Sequence, residues 1–433
     1  MKKVRTGGLF ATAFAALLCI QPAAAETVVV TSRHMVDVQT GRIVNDPVIV
    51  ITDGRITAVA SKGARPAIPE GAKSIDLGEM TILPGLIDMH VHLASSPLYS
   101  AYHALQFTDS FWTAVGVPNA KDMLEAGFTT VRDLGSDAGG YPDVGLKQAV
   151  DEGLIPGPRI VPSGYLLGST GGHCDKNLLP PSFHAIGEGI ADSPDQFRQK
   201  VRGERKYGAE VIKVCATGGV NSRNTEPGQQ QMTDEELQAV AKEAHMWGLR
   251  VAAHAHGAAG IKAAIRAGID TIEHASMIDD EGIKLAKEHG TWLSMDIYNT
   301  EYIQEVGEKN GRLPENLRKD REMAAVQRPN LGKAYRAGVK MVFGSDAGVM
   351  PHGTAARQFA TMVQFGMPPI AAIQSATRNA AEALGRERDV GTIQAGRYGD
   401  LIAVRGNPIE DIRLLEDVPF VMKGGEVVKD ARQ

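Results

Sequence analysis

The sequence predicts an α/β fold, a (β/α)8 TIM barrel that carries a small β-sandwich domain built from both chain ends. Three observations support this prediction. The chain has 433 residues, which exceeds one ordinary compact domain and suits a large barrel with an appendage. Between residues 84 and 390, apolar β-like runs alternate with helical patterns. Outside that region, strand-like runs follow one another without helices between them.

The central region contains eight β-like runs, and helical patterns follow most of them. The runs are Gly85–His92, Thr129–Leu134, Arg159–Gly164, Val211–Val214, Val251–His254, Thr271–His274, Trp292–Asp296 and Met341–Asp346. Eight strand–helix units indicate a parallel barrel, which we place at residues 84–390. A capping box at Thr233–Glu236 predicts a helix through His245. Another helix is expected near Pro369 to Leu384, ending at Gly385.

The two chain ends consist of strand-like runs joined by tight turns. In the N-terminal part these are Val28–Val30, Pro47–Ile51 and Arg55–Val59, with Asp53-Gly54 as a hairpin turn. In the C-terminal part they are Asp400–Val404, Pro419–Met422 and Val427-Val428, with a turn at Lys423–Glu426. We therefore expect residues 26–83 and 391–433 to form one β-sandwich domain together.

Residues 1–25 are typical of a secretory signal peptide. Lys2, Lys3 and Arg5 form a positive segment, Leu9–Ile20 is a short apolar stretch, and Ala23–Ala25 matches a cleavage motif. The apolar stretch is too short for a stable membrane helix, and an N-terminal core helix is the alternative interpretation. We expect cleavage near Ala25 and a secreted or periplasmic protein.

The composition excludes several other classes of protein. Hydrophobic residues make up 43% and charged residues 22%, close to globular averages, which argues against disorder and coiled coil. A net charge of −5 without a long basic run argues against a nucleic-acid partner. No other segment is apolar enough for membrane insertion. Cys174 and Cys215, which remain after cleavage, are too few for a disulfide framework.

A set of histidine and aspartate residues stands at the C-terminal ends of the first, fifth, sixth and eighth runs, the edge where barrels keep their active sites. His90 and His92 end the first run, and their side chains point the same way because they lie two residues apart. His254 and His274 end the fifth and sixth runs. Asp346 ends the eighth run, which neighbours the first in a closed barrel. One such histidine is more often structural, but the complete set indicates a metal centre.

Lys213 lies among apolar residues in the fourth run. Burial lowers the pKa of a lysine, and a neutral amine can react with CO₂ to give a carbamate. The carbamate is a carboxylate analogue that can bridge two metal ions. Alternatively, Lys213 pairs with an acid such as Glu210 or Asp270, which is the more common situation for a lone buried lysine.

These residues resemble the metal ligands of the amidohydrolase superfamily, and the likeness covers nearly the whole mature chain. That family has H-x-H on strand one, a carboxylated lysine on strand four, histidines on strands five and six, and aspartate on strand eight. This chain fills the pattern with His90, His92, Lys213, His254, His274 and Asp346. Four motifs are similar to the imidazolonepropionase-related, prolidase-like branch, and they are Thr170–His173, Ala253–Gly257, Ile272–Ala275 and Gly344–Gly348. Within that branch, the chain is most similar to bacterial amidohydrolases that degrade ochratoxin A.

The resemblance implies a binuclear metal-dependent amidohydrolase. The expected substrate is a dipeptide, an N-acyl amino acid or an ochratoxin A-like amide, cleaved at the bond to an amino acid with a free carboxylate. The enzyme would hold two divalent ions, for which we expect Zn²⁺ in preference to manganese or cobalt. One ion would be bound by His90, His92 and Asp346 and the other by His254 and His274. Carboxylated Lys213 would bridge the two ions. A hydroxide between the metals would attack, and Asp346 would act as general base and then acid. Lys213 argues against imidazolonepropionase activity, because those enzymes usually lack this ligand.

Several further residues are candidates for substrate contacts. His173 is expected to donate to the oxyanion, or else to pack its loop. His256 shares a face with His254 if the strand extends that far, and is otherwise a loop residue. Arg223 is a candidate to bind the substrate carboxylate, although a free surface arginine is common. His352 follows the eighth run and is expected to lie over the site, and Glu273 is expected to be structural.

The long loop Ser95–Trp112 is rich in aromatic residues, which predicts either the wall of an apolar pocket or a subunit interface. The family resemblance implies homo-oligomers, often octamers. Two other functions stay open at this point. The same metals also suit a cyclic amide or lactone hydrolase, such as a dihydroorotase-like enzyme. A non-catalytic metal-binding scaffold would show gaps in the ligand set, and this chain has none.

Overall fold

The structure is a computed structural model that describes residue 3 and residues 26–61, 63–64 and 66–432. The predicted signal peptide, apart from Lys3, lies outside the described residues. The strands are β1 (Thr27–Thr31), β2 (His34–Asp37), β3 (Arg42–Asn45), β4 (Val48–Thr52), β5 (Arg55–Ala60), β6 (Lys73–Asp76), β7 (Met80–Pro84), β8 (Leu86–Val91), β9 (Phe128–Asp133), β10 (Arg159–Pro162), β11 (Val211–Cys215), β12 (Arg250–Ala255), β13 (Thr271–His274), β14 (Trp292–Ser294), β15 (Met341–Val342), β16 (Leu401–Arg405), β17 (Phe420–Lys423) and β18 (Glu426–Asp430). The α-helices are α1 (Asp109–Glu125), α2 (Pro142–Asp151), α3 (Pro194–Tyr207), α4 (Asp234–Met246), α5 (Ala258–Arg266), α6 (Asp280–His289), α7 (Asn299–Val306), α8 (Pro314–Arg336), α9 (Gln358–Gln364), α10 (Pro369–Ser375) and α11 (Arg378–Leu384).

Strands β8 to β15 correspond one by one to the eight predicted runs. They form a three-stranded sheet in the order β10-β9-β8 and a five-stranded sheet in the order β11-β12-β13-β14-β15, with parallel pairing throughout. Hydrogen bonds link the two sheets at both edges. Asp346 N donates to His90 O at 2.8 Å, and Cys215 N donates to Leu167 O at 2.8 Å. The predicted α/β architecture of the TIM-barrel type is confirmed.

The barrel strands are buried on both faces, as parallel strands covered by helices must be. All five residues of β11 are buried, although one of them is Lys213. Three of the described α-helices, α3, α4 and α6, begin after a residue whose side chain caps the helix. Thr233 Oγ1 accepts a hydrogen bond from Glu236 N at 3.3 Å, and Glu236 Oε2 accepts one from Thr233 N at 2.8 Å. The predicted capping box therefore opens α4.

The chain ends form two further sheets. One has the order β5-β4-β1-β6, and the other has the order β18-β17-β16-β7-β2-β3. The C-terminal strand β16 pairs antiparallel with β7, so both chain ends contribute to the second sheet. Buried side chains of the two sheets, including Val30, Ile49, Ile82 and Phe420, share one hydrophobic cluster. The sandwich and the domain boundaries at 83/84 and 390/391 stay predictions.

The helix predicted near Pro369 to Leu384 is two helices, α10 and α11. The break lies at Thr377, whose φ of −136° and ψ of −105° are not helical. Just before it, the carbonyl of Ala376 accepts a hydrogen bond from Ile87 N of β8 at 2.7 Å. The carbonyl of Ala376 therefore accepts its hydrogen bond from a barrel strand, whereas in a continuous helix it would accept one from a later residue of the same helix.

The segment predicted as a long loop, Ser95–Trp112, is partly helical. A short 3₁₀ helix spans Ala101–Gln106, and α1 starts at Asp109. Phe107 stacks on Phe111 with ring centroids 4.1 Å apart, which ties the remaining loop to the helix. Tyr99 and Trp112 contact the same two rings, so four of the aromatic residues form one packed cluster.

Cys174 and Cys215 are joined by a disulfide, with their Cα atoms 6.0 Å apart. The single cross-link is not a framework, but it ties the loop after β10 to the end of β11. The sequence contained no signal for this pairing, because 41 residues separate the two cysteines. None of the helices in the described part of the chain combines the length and apolar character of a membrane span.

Candidate metal centre and active site

The six residues predicted as metal ligands lie together at the C-terminal end of the barrel. Five of them are more than nine-tenths buried, and the His92 side chain is 17% exposed. Two groups of three side chains bring their ligand atoms within 4.8 Å of one another, namely His90, His92 and Asp346, and His254, His256 and His274. A third such group combines His274, Asp296 and Asp346, so it shares members with both. The arrangement is one continuous cluster with two possible metal positions.

The first group is built around the carboxylate of Asp346. Its Oδ1 lies 3.5 Å from His90 Nε2 and 3.3 Å from His92 Nε2. Burial alone would raise the pKa of Asp346, but the adjacent imidazoles of His90, His92 and His274 hold it below its ordinary value. Asp346 is therefore ionised, which suits both a metal ligand and a proton acceptor.

Lys213 reaches this cluster from β11, and its Nζ lies 3.4 Å from His90 Nε2. Burial lowers the pKa of Lys213 to about 8, while nearby Glu273 and Asp346 act in the opposite direction. A substantial fraction of the amine is thus neutral in mildly alkaline solution. That is the form that reacts with CO₂.

The acids considered as alternative partners of Lys213 have other partners. Glu210 pairs with Arg386 at 2.5 Å, and Asp270 pairs with Arg250 at 2.9 Å. Because neither acid contacts Lys213, the interpretation of an ordinary buried ion pair with one of them is wrong.

The second group contains His256 in addition to the predicted His254 and His274. Strand β12 ends at Ala255, so His256 is one residue beyond it. Its ring nevertheless stacks on His274 with centroids 4.6 Å apart and lies 4.7 Å from His254. His256 therefore belongs to the metal-centre wall, although the strand does not extend to it.

Hydrogen bonds through one ring nitrogen orient three of the predicted ligands, His92, His254 and His274. Nδ1 of His92 donates to Gly135 O at 2.6 Å, and Nε2 of His254 donates to Gly218 O at 3.1 Å. Nδ1 of His274 donates to Asp296 Oδ1 at 2.7 Å. The other nitrogen of each ring is left as an acceptor, which is the arrangement that metal-binding histidines require.

Two of the predicted ligands have strained backbones. His274 has φ of 68° and Asp346 has φ of 58°, the left-handed region that residues other than glycine rarely adopt. Such strain costs about 1–3 kcal/mol per residue and concentrates at functional sites. His274 is the last residue of β13, and Asp346 lies in the segment that follows β15.

A buried ion pair lies next to His90 of the first group. Arg132 Nη2 donates to Glu273 Oε1 at 2.6 Å, and both side chains are at most 1% exposed. Glu273 Oε2 lies 3.2 Å from Nδ1 of His90. Burial would raise the pKa of Glu273, but Arg132 and His90 hold it below its ordinary value. Glu273 therefore positions His90, which agrees with its predicted structural role.

We expect Glu273→Gln to destabilise the fold by about 3–5 kcal/mol, because it leaves the guanidinium of Arg132 buried without an ionic partner. The measurement is denaturant unfolding of metal-free protein. Glu281→Gln, in an exposed pair with Lys262 and Arg266, is the matched control and should change stability little. Equal effects of the two substitutions would contradict the role given to Glu273.

His173 covers the second group from the loop after β10. Its ring stacks on that of His254 with centroids 4.1 Å apart, and its Nδ1 lies 2.7 Å from Ser222 Oγ. Burial lowers the pKa of His173 to about 3, so the ring is neutral. Gly219 lies so close that a Cβ there would stand 2.3 Å from the imidazole. The glycine is thus needed for His173 to occupy this place.

Two adjoining cavities give access to the cluster. The inner cavity, about 100 Å³, is lined by the clustered histidines, Lys213, Asp346, Asp296 and Asp320. The outer cavity, about 690 Å³, is lined by residues of the aromatic loop, the loop after β10, Arg223 and Arg312. His92, His173 and Val349 line both, so the cavities meet at the metal centre.

The remaining two predicted substrate-binding residues differ in position. Arg223 is exposed at the outer cavity, and its Nη1 donates to the Tyr102 hydroxyl at 2.8 Å. His352 is buried, its Nε2 donates to the carbonyl of His92 at 3.1 Å, and it lines neither cavity. Its place therefore favours support of the His92 backbone over contact with substrate.

Sequence reasoning missed three functional candidates. Asp296 orients His274, and its position at the end of the seventh run was a usable signal. Arg132 lies fully buried in β9, where only a charge inside an apolar strand hinted at its role. Arg312 lies between α7 and α8, away from every recognised motif.

Comparisons with known proteins agree with this geometry. A model of the amidohydrolase family matches residues 81–428. The ochratoxinase of Aspergillus niger is 32% identical over 416 residues, which cover 90% of this chain and 84% of the relative. Among solved structures, a Xaa-Pro dipeptidase with methionine bound in its active site is 35% identical, with a TM-score of 0.85 and coverage of 93% of this chain and 99% of that chain. A prolidase in complex with N-methylphosphonate-L-proline is 32% identical, with a TM-score of 0.85 and coverage of 93% and 100%.

These relatives fit the prolidase-like branch that the sequence motifs resemble. The matched family is typically metal-dependent, and this chain presents groups of His and Asp side chains able to hold a metal. The chain therefore belongs to the amidohydrolase family and is a hydrolase that acts on amide or peptide bonds.

Proposed function

We propose that this protein is a binuclear metal-dependent amidohydrolase that cleaves the amide bond to an amino acid with a free carboxylate. The substrates are dipeptides, N-acyl amino acids or ochratoxin A-like amides. The observation that carries the proposal is the convergence of two three-residue ligand groups, linked through Asp346 and His274, beside the outer cavity.

The side chains of the two ligand groups offer donor atoms that suit two divalent cations. His90, His92 and Asp346 would hold one ion, and His254 and His274 the other, with carboxylated Lys213 between them. The donors are imidazole nitrogens and carboxylate oxygens, which suit Zn²⁺. When bound, the ions supply Lewis acidity toward the scissile carbonyl and lower the pKa of the attacking water.

The protein's own groups manage the protons and the orientation of the substrate. Asp346, held ionised by its imidazole neighbours, accepts the proton of the attacking water and delivers it to the leaving amine nitrogen. His173 is neutral, so an N–H of its ring can donate to the oxygen of the tetrahedral intermediate. A hydroxyl of Ser222 that donates to Nδ1 leaves Nε2–H directed at the substrate.

The test is a panel of dipeptides, N-acyl amino acids and ochratoxin A on zinc-loaded protein. We expect release of the free amino acid, its loss after chelation, and its return with zinc. Lactones and cyclic amides such as dihydroorotate are tested in parallel as alternative substrates. Faster hydrolysis of lactones or cyclic amides would favour the alternative function, a cyclic amide or lactone hydrolase. Metal binding without any turnover would indicate a non-catalytic scaffold.

We further propose that the mature enzyme is exported, as a secreted or periplasmic protein. The signal-like residues 1–25 support this proposal, and so does the disulfide, because such bonds persist in oxidising compartments. Cell fractionation followed by N-terminal sequencing should find mature protein that begins near Glu26. Full-length protein confined to the cytoplasm would contradict it.

We also propose that the protein forms a homo-oligomer such as an octamer. Leu98, Leu105, Phe183 and Ile186 are large apolar residues that are about half exposed or more in the isolated chain, and burial by another copy would stabilise them. Light scattering on purified protein gives the oligomeric mass directly, and a monomer at micromolar concentration would refute the proposal.

A further inference from the structure

The loop between α7 and α8 places a buried cation beside the active site. Arg312 is 8% exposed, and burial lowers its pKa although the more distant carboxylates of Asp320 and Asp346 act in the opposite direction. Its Nη1 donates to Asn221 Oδ1, and its Nη2 donates to Val349 O at 3.0 Å. Both acceptors are neutral, and no carboxylate lies within 4 Å of the guanidinium among the described residues. A buried charge without an ionic partner is costly, so an anionic ligand at this point would stabilise the site.

The position of Arg312 is suited to a substrate that reaches the metal centre. Arg312 lines the outer cavity, and its two partners, Asn221 and Val349, line both cavities. The guanidinium is therefore at the junction. A guanidinium has five N–H donors, and the two hydrogen bonds to the protein leave three for a ligand.

The lining of the two cavities favours this junction for the anionic end of a substrate. The inner cavity is lined by the groups that would hold the metal ions and by the carboxyl groups of Asp296 and Asp320, so it suits the scissile amide rather than the free carboxylate. Asp320 accepts hydrogen bonds from Gln304 at 2.6 Å and Thr300 at 3.1 Å, so it is already fixed in place. The outer cavity is also lined by carboxyl groups, those of Asp109, Asp137 and Asp175, but where it meets the inner cavity it presents the buried guanidinium of Arg312.

We infer that Arg312 binds the free carboxylate of the substrate and thereby selects amides of amino acids over neutral amides. This inference rests on the proposed function and assigns its specificity to one side chain. Arg223, the candidate from the sequence, is exposed and bound to the hydroxyl of Tyr102. Water screens an exposed charge, whereas the fork of a buried arginine can hold a carboxylate through two hydrogen bonds.

The experiment compares two substrates in the full-length zinc-loaded enzyme, namely the best N-acyl amino acid of the panel and its C-terminal primary amide. The readout is the ratio of their kcat/KM values in wild type, Arg312→Met and Arg223→Gln. We expect Arg312→Met to lower the ratio roughly 100-fold, mainly through KM for the carboxylate substrate, because charge-assisted hydrogen bonds are lost. Hydrolysis of the neutral amide should fall far less than hydrolysis of the carboxylate substrate, a difference that a merely structural role of Arg312 would not predict.

Controls separate a specific loss from misfolding. Arg388→Gln removes an exposed arginine far from both cavities and should leave the ratio at its wild-type value. If Arg312→Met does not fold, Arg312→Lys keeps a cation but loses the fork and should still lower the ratio at least about tenfold. A fall below tenfold in the folded Arg312 variant, or an equal fall in Arg223→Gln, overturns the inference. Wild type that hydrolyses neither substrate class overturns the proposed function itself, whereas an unchanged ratio in an active enzyme overturns only the role of Arg312.

Discussion

Replacement of Lys213 by alanine is expected to lower kcat/KM by roughly 10³-fold or more, about 4 kcal/mol of transition-state stabilisation. Lys213 is the residue that, as a carbamate, would stand between the two ligand groups, and its Nζ lies 3.4 Å from His90 Nε2. Without it, we expect the second metal to bind weakly. Steady-state kinetics and metal analysis of the purified variant measure both effects.

The chemistry of the carbamate offers a sharper test of the same residue. Short carboxylic acids should partly restore activity to Lys213→Ala, because they can occupy the space of the lost carbamate. Lys213→Met should resist this rescue, since its side chain fills that space. Native mass spectrometry of wild type should show one added CO₂ per chain. The exposed Lys242→Ala is the matched control, and undiminished activity and metal content in Lys213→Ala would refute the bridging role.

Asp346→Asn is expected to reduce kcat by roughly 10²–10⁴-fold while the fold and most of the bound metal remain. The amide keeps an oxygen ligand and the shape of the side chain, but it cannot accept the proton of the attacking water. The measurements are kcat, metal content and thermal unfolding of the same preparation. Their combination distinguishes loss of a base from loss of a ligand.

Asp280→Asn, at an exposed aspartate in α6, is the matched control for Asp346→Asn and should behave as wild type. Retained turnover in Asp346→Asn would show that another group moves the proton. A large loss of metal together with activity would instead make Asp346 chiefly a ligand. The proton-transfer role is supported only if metal stays and turnover falls.

The barrel could be predicted because its determinants are local. Each of the eight runs is an apolar segment of strand length, and each overlaps one observed strand. The capping box before α4 was equally readable, since its two hydrogen bonds lie within four residues. The break between α10 and α11 was not, because the hydrogen bond from Ile87 comes from a strand almost 300 positions earlier in the chain.

In the candidate site, too, local features could be predicted from the sequence and contacts between distant segments could not. His90 and His92 were recognisable from their spacing, and Asp346 from its place at the end of the last run. The ion pair between Arg132 and Glu273 was not recognisable, because the two residues lie on different strands and 141 positions apart in the sequence. Arg312 carries no motif at all, and only the cavity that it borders identifies it as a candidate.

By itself, the sequence determined the type of fold, the identity of the six candidate ligands and the class of chemistry that they support. Periodicity and strand-end position are local properties, and so they can be read without coordinates. Only the tertiary structure decided that His256 and Asp296 join the cluster, that Cys174 pairs with Cys215, and that Arg312 rather than Arg223 is the buried cation. These features depend on which distant segments pack together, and burial and electrostatic pairing arise only after that packing is complete.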